Sequence, residues 1–256
     1  MAPVYADKPF ALVSSPNFLK GKDEKHDIFD ECASNMAAVH NTVIRGLNAI
    51  YLQAPHIKPA DVKSFSTFIS HWYLVIHHHH NGEETYAFPR IEEMAGEKGI
   101  MDVNVAQHHA FLDGLEEFGK YAADCAAGKE EYDGGKIVRM IDGFGAALAE
   151  HLADEIPSLE NLRRFGNKMS SLKDVLQQDA DNNRAKTSIH TGVVVFFTMH
   201  DPQYEDGLWA NWPPMPAIVT FICKSIILPW NADVAKFGPC GKNGGLRPLY
   251  ATAGGD

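Results

Sequence analysis

No CxxC pair, no cluster of lysine and arginine, and no apolar run long enough to cross a bilayer occurs in this sequence of 256 residues. Each absence excludes something. The four cysteines, Cys32, Cys125, Cys223 and Cys240, are widely scattered, which excludes a zinc knuckle or a redox dithiol and leaves reduced thiols without an assigned task. Acidic residues outnumber basic ones, 33 to 23, for a net charge of −10. Without a basic footprint for phosphates, nucleic acid is excluded as a partner. The most apolar stretch, residues 217–230, is interrupted by Lys224 and is too short to form a transmembrane segment. It is expected to pack on the protein's own core, with contact at a membrane interface as the alternative. The N-terminal stretch lacks the basic start and continuous apolar core of a secretory signal, so the expected location is cytoplasmic. Internal repeats and low-complexity tracts are missing as well.

What the sequence does contain is helical periodicity. Four long segments between about residues 25 and 156 repeat apolar residues at helical spacing, separated by short breaks of Gly, Pro, Asp or Asn. That pattern predicts an all-α protein built on an antiparallel four-helix bundle. The first segment runs from Asp27 to Leu52, with Met36, His40, Val43, Ile44 and Leu47 on one face. A second starts after Pro59, carries Phe65, Phe68, Trp72, Val75 and Ile76 inward to His79, and ends near Gly96. The third, from Asp102 to Ala127, aligns Val105, His108, Phe111, Leu112, Leu115 and Phe118. In the fourth, Lys136 to Glu155, the stripe is Met140, Phe144, Leu148 and His151. The expected organisation is an N-terminal arm (1–24), the bundle (25–160) and a C-terminal extension (161–256) wrapping it, since no flexible linker precedes the last part.

Every one of the four stripes contains a histidine. A lone histidine on an apolar face is ordinarily a hydrogen-bonded core residue, but the pattern here overrides that reading. His79 and Glu83 are four residues apart, as are His151 and Glu155, and that spacing sets both side chains of a pair on one helix face. Burying such groups unpaired would cost many kcal/mol, and a bound cation removes the objection. Imidazole with carboxylate and no thiolate suits iron better than structural zinc.

The run HHNGEETYAFP, residues 79–89, resembles the HxxxEE…FP signature of hemerythrin-like HHE proteins. QHHAFLDGLEEF, HLADEI and MAAVHNTVIRGLN resemble the family's other helix motifs, and KFGPC near the C-terminus is similar to a tail of fungal members. The resemblance covers about residues 26–160. It implies a hemerythrin-like bundle with two iron ions, joined by an oxo or hydroxo bridge, on His40, His79, Glu83, His108, His151 and Glu155.

Within the run His77 to His80, only His79 continues the face of Trp72, Val75 and Ile76; His80 would pair with Glu84 and is expected outside the centre. His109, on a face with Asp113 and Glu116, is expected in solvent. His26, His56, His71 and His190 receive no role. His200 with Asp201 is either a pair reaching over the bundle's open end or a loop hydrogen bond, and Tyr204, Trp209 and Trp212 either line an entrance or pack on the surface. Leu112 stands where oxygen-carrying hemerythrins resemble HxxxH, which predicts four histidines rather than five and an exchangeable position. The expected partners are dioxygen and a small organic substrate, in an oxidase or oxygenase. A reversible carrier or sensor of oxygen, nitric oxide or iron is the alternative, and a structural protein with a vestigial site is a third.

Overall fold

The structure, a computed structural model, describes residues 2–21, 23–241 and 244–252. Among these residues no β-strand forms; an isolated antiparallel bridge joins Cys240 to Leu246. Four long helices make the bundle: α1 (Ile28–Gln53), α2 (62–95), α3 (Asp102–Ala126) and α4 (Gly134–Asn161). The protein is all-α, as the periodicity predicts. Asp27 starts α1 with a capping box, its carboxylate accepting from the amides of Phe29 and Asp30 while the Asp30 carboxylate accepts from the Asp27 amide. Gly96, at φ 71°, ends α2 in the left-handed conformation that glycine adopts without strain. The fourth helix runs past its expected end, through Pro157 to Asn161, because Ile156 and Leu159 are buried against the lower core.

A break in regularity inside α2 has a chemical cause. Pro89 has no N–H to give to the carbonyl four residues back, so the chain widens into a π turn over Glu83–Ala87, where the Phe88 amide donates to the Glu83 carbonyl. The Phe-Pro of the family-like signature therefore reshapes the helix at Glu83 itself.

Two apolar layers fill the bundle. The upper one gathers Val43, Ile44, Leu47, Phe68, Trp72, Phe111, Leu115, Phe144 and Leu148. The lower one gathers Phe29, Met36, Phe88, Ile91, Met101, Ile156 and Leu159. Each of the four helices passes from one layer to the other, and all four carry their histidines at the crossing.

The chain beyond the bundle adds α5 (Leu172–Lys186) and α6 (Ile189–Thr198). Helices α1 and α2 meet each other only sparsely, and α5 and α6 pack against both, filling the seam they leave. This makes α1 buried on nearly all sides, which explains its interior polar residues. Asn48 accepts from the Phe10 amide and donates to the carbonyls of Ala6 and Phe10, and Asn41 pairs both ways with Val13, so the two strap the N-terminal arm along the helix. The KFGPC tail seats Phe237 against Phe65 and Phe68 in the upper layer.

The apolar stretch 217–230 differs from expectation. Only Cys223, Ile227 and Leu228 are buried, against Val193 and Ala235, while Ile218, Phe221, Ile226 and Trp230 stay exposed. A single face packs because Pro216 and Pro229 confine the segment to a short helical stretch lying on the extension rather than in the bundle. No described helix is long and apolar enough to cross a membrane.

Candidate metal centre

His40, His108, His151, Glu83 and Glu155 are fully buried between the two apolar layers, and His79 is nearly so. The structure thus brings together all six residues singled out in the sequence. It adds a seventh. His80, expected outside, is only 3 % exposed and joins Glu83, His108 and His151 in one set of donors; His40, His79, Glu83 and Glu155 form a second set. Within each set the donor atoms all lie within 4.8 Å of one another.

The expectation for His80 failed because it treated the inward face of α2 as one stripe. Consecutive helical residues stand about 100° apart, and α2 faces two seams here, one toward α1 and one toward α3. His79 turns toward the first and His80 toward the second. Glu83 is four residues from His79 and three from His80, so one carboxylate reaches both sets. His109 is exposed, as expected.

Hydrogen bonds at the outer ring nitrogens fix which nitrogen is bare. The Nδ1 of His40 donates to the Leu152 carbonyl at 2.7 Å, and the Nδ1 of His108 to the Glu84 carboxylate at 2.7 Å. At His151 the Nδ1 faces the Gln107 side-chain oxygen at 3.3 Å, and Gln107 in turn donates to Asp154. A carbonyl or carboxylate partner requires N–H at Nδ1, so each Nε2 carries a lone pair pointing inward. Yet the Nε2 atoms of His108 and His151 stand 3.0 Å apart, and those of His40 and His79 stand 3.3 Å apart. Two nitrogens held about 2.1 Å from one ion would be separated by about 3.0–3.4 Å. At His108 and His151, where both Nε2 atoms are bare, lone pairs at that distance repel, and a shared cation reverses the sign.

The carboxylates and His80 give a second test of fit. Neither oxygen of Glu83, neither oxygen of Glu155 and neither ring nitrogen of His80 has a hydrogen-bond partner, although all are buried. The Glu155 carboxylate approaches His40 Nε2 at 3.2 Å and His151 Nε2 at 3.8 Å, so it too spans both sets. Unpartnered groups of this kind cost several kcal/mol each. The residues fit a pair of cations.

Burial also sets the ionisation of the layer. It drives the imidazoles of His79 and His151 down to about 3, that of His80 well below its ordinary value and that of His108 down. Burial pushes Glu83 well above the ordinary carboxylate range, with Glu155 and Asp179 adding repulsion. At Glu155 burial pushes upward too, but His40, His151 and His79 outweigh it and hold the carboxyl near about 2.

A pH dependence of the metal-free protein follows. Unfolded histidine takes a proton near pH 6.5, and folded His79 and His151 refuse it until about pH 3. Stability from these groups is complete above pH 6.5 and falls as the pH drops below it, by about 2 kcal/mol for each at pH 5. Glu83 acts oppositely, since its raised pKa makes its charge destabilising as the pH rises. With the histidines in the majority, thermal melts of the metal-free protein should fall by on the order of 10 °C from pH 7 to pH 5. A melting temperature that rises over that range would contradict a buried neutral imidazole layer.

The remaining sequence candidates lie elsewhere. His200 Nε2 donates to the Trp209 carbonyl and packs on Trp212, which favours the loop hydrogen bond over a role at the centre. Trp209 donates to buried Glu205, which also takes the amide and hydroxyl of Ser15, and Tyr204 stacks on Arg45. Those aromatic residues clasp the extension to the arm and α1 and form no entrance. All four cysteines are buried free thiols, and burial pushes Cys32 to about 11 and Cys240 to about 12.

Comparison with known proteins agrees with this geometry. Residues 33–156 match the family described as Hemerythrin HHE cation binding domain. Over that span the chain is similar to a cation-binding domain, and the span covers the centre from α1 to Glu155. Across 247 residues the chain is 29% identical to the dimeric xanthone biosynthesis cluster protein R11 of Cryptosporiopsis sp. (strain 8999), covering 96% of this chain and 92% of the relative. That similarity extends through the arm and the extension. No solved structure matches the chain.

Proposed function

We propose that the protein holds two iron ions, one on His40 and His79, the other on His80, His108 and His151, with Glu83 and Glu155 spanning them, and that it is an oxidase or oxygenase acting on a small organic substrate. The observation that carries this reading is the sharing of Glu83 between two donor sets in a dry layer. Imidazole with carboxylate and no thiolate in either set favours iron. When bound, such a pair of ions would supply two electrons to dioxygen together. The chain's own residues orient the imidazoles through Leu152, Glu84 and Gln107 and exclude water with the apolar layers.

Two considerations favour turnover over carriage. The His40 and His79 set offers two nitrogens where the other offers three, so one position keeps more room for exchangeable ligands. The relative's name places it in a biosynthetic cluster for dimeric xanthones, which favours an aromatic substrate here as well. The buried reduced thiols suit a cytoplasmic setting.

Reversible binding of oxygen is the second reading, favoured by a specific observation. His80 raises the imidazole count to five, and the missing ligand at Leu112 therefore no longer marks an open position. Stopped-flow mixing of the anaerobic ferrous protein with oxygen separates the two. Under the enzymatic reading the spectral change does not revert under vacuum, and oxygen consumption accelerates with a hydroxylated aromatic compound. Full reversal under vacuum, with no consumption, would overturn it.

A further inference from the structure

Residues 217–230 form one continuous helix, α7, on the outside of the extension. Its inner face seats Cys223, Ile227 and Leu228 against Val193 and Ala235. The opposite face repeats apolar residues three or four apart: Ile218, Phe221, Ile222, Ile226 and Trp230, with Val219 beside them. All six are exposed, Ile218 by 64 %, Phe221 by 61 % and Trp230 by 76 %. A helix that is apolar on both faces is ordinarily covered on both. Here only the inner face has a cover.

The area of the bare face sets the kind of partner. The six residues expose on the order of 700 Å² between them, above the roughly 300–600 Å² of the largest apolar patch on a typical monomer. Two such faces pressed together would remove about 1,400 Å² from water, within the range of about 1,200–2,000 Å² for a stable specific interface.

The distribution of apolar surface points to self-pairing. The other large exposed apolar side chains among the described residues are scattered over the arm, α2, α3, the start of α6 and the tail, so the surface that matches this stripe is the stripe itself. A two-fold axis lets one patch serve as both halves of an interface. Charge argues against lipid. Between Trp212 and Asn231 the sole charged residue is Lys224, and its ammonium is folded back over the Phe197 ring, 5.6 Å from the centroid. Helices that settle on membranes carry lysine and arginine along their polar face, and a chain of net charge −10 is repelled by acidic lipid. We propose that α7 is a homodimer interface, in which Ile218, Phe221, Ile222, Ile226 and Trp230 pack against the same face of a second copy of this chain.

The test is sedimentation equilibrium of the full-length, metal-loaded protein beside two variants. One combines Phe221→Glu with Trp230→Glu; the other, Val103→Glu, sets the same charge on an exposed apolar residue of α3. The parent should sediment at twice the chain mass at micromolar concentration, and Val103→Glu should match it. The double variant should dimerise at least about a hundredfold more weakly, with helicity and metal content unchanged. If the double variant loses helicity, Trp230→Ser takes its place, with a weakening of at least about tenfold expected. Co-sedimentation with phosphatidylcholine vesicles, with and without phosphatidylserine, examines the other occupant. A parent that stays monomeric up to about 100 μM, a dimer indifferent to the α7 substitutions, or a monomer that binds vesicles through Trp230 would overturn the proposal.

Discussion

Glu83→Ala removes metal from both positions, taking iron from about two per chain to a small residue, while the metal-free variant melts higher than the metal-free parent. The two effects have one origin. Glu83 belongs to both donor sets and has no hydrogen-bond partner for either oxygen. With cations present it is the shared anion that offsets their charge. Without them it is a buried carboxylate whose ordinary ionisation is opposed by burial and by two neighbouring acids. Deleting it therefore abolishes metal-dependent stabilisation and relieves a destabilising group in its absence. Glu155→Ala should also empty the centre but raise the metal-free melt less, because the Glu155 carboxyl is held low whereas that of Glu83 is pushed up. Metal analysis with paired melting curves checks both variants. Full iron occupancy in either would refute the assignment, and equal metal-free melts for the two would refute the electrostatic distinction. Helicity should persist in all cases, since the apolar layers above and below supply the packing.

The legibility of this protein from sequence varied with the kind of information required. Apolar periodicity is a property of each helix alone, so the bundle helices could be read within a few residues, apart from the run of α4 through Pro157. The i,i+4 pairs His79 with Glu83 and His151 with Glu155 could be read for the same reason. His80 could not, because its placement depends on α2 facing two partner seams at once. Its signal was present as a three-residue spacing to Glu83, which the four-residue rule passed over. Asp179 was invisible for a different reason: its repulsion of Glu83 arises from the packing of α5 on Gly82, a contact about 100 residues distant in sequence that no local pattern encodes. The exposed face of residues 217–230 is the converse case: an apolar run does not by itself imply burial, because short helices bury only one side.

His80→Ala should cost the position formed with His108 and His151 its metal, lowering affinity there by about a hundredfold or more, whereas His109→Ala should leave both positions filled. The substitutions remove chemically identical side chains from a His-His pair in each case, so a general loss of imidazole or helix propensity predicts no pattern. Geometry predicts one. His80 is buried with both ring nitrogens unpartnered and its ring 4.5 Å from that of His108 and 5.2 Å from that of His151, while His109 is exposed. Losing one of three nitrogens from a set whose only other donors are shared carboxylates removes a large part of its binding strength, and loss of mere orienting partners commonly costs 10–100-fold. His79→Ala should empty the other position preferentially, since His40 is then its sole nitrogen. The two alanine variants are therefore expected to differ in which site they lose, visible as about one iron per chain in each with distinct optical spectra. Two irons retained in His80→Ala, or metal lost in His109→Ala, would show that α2 or α3 sits one residue out of the phase described, and would return the centre to four histidines.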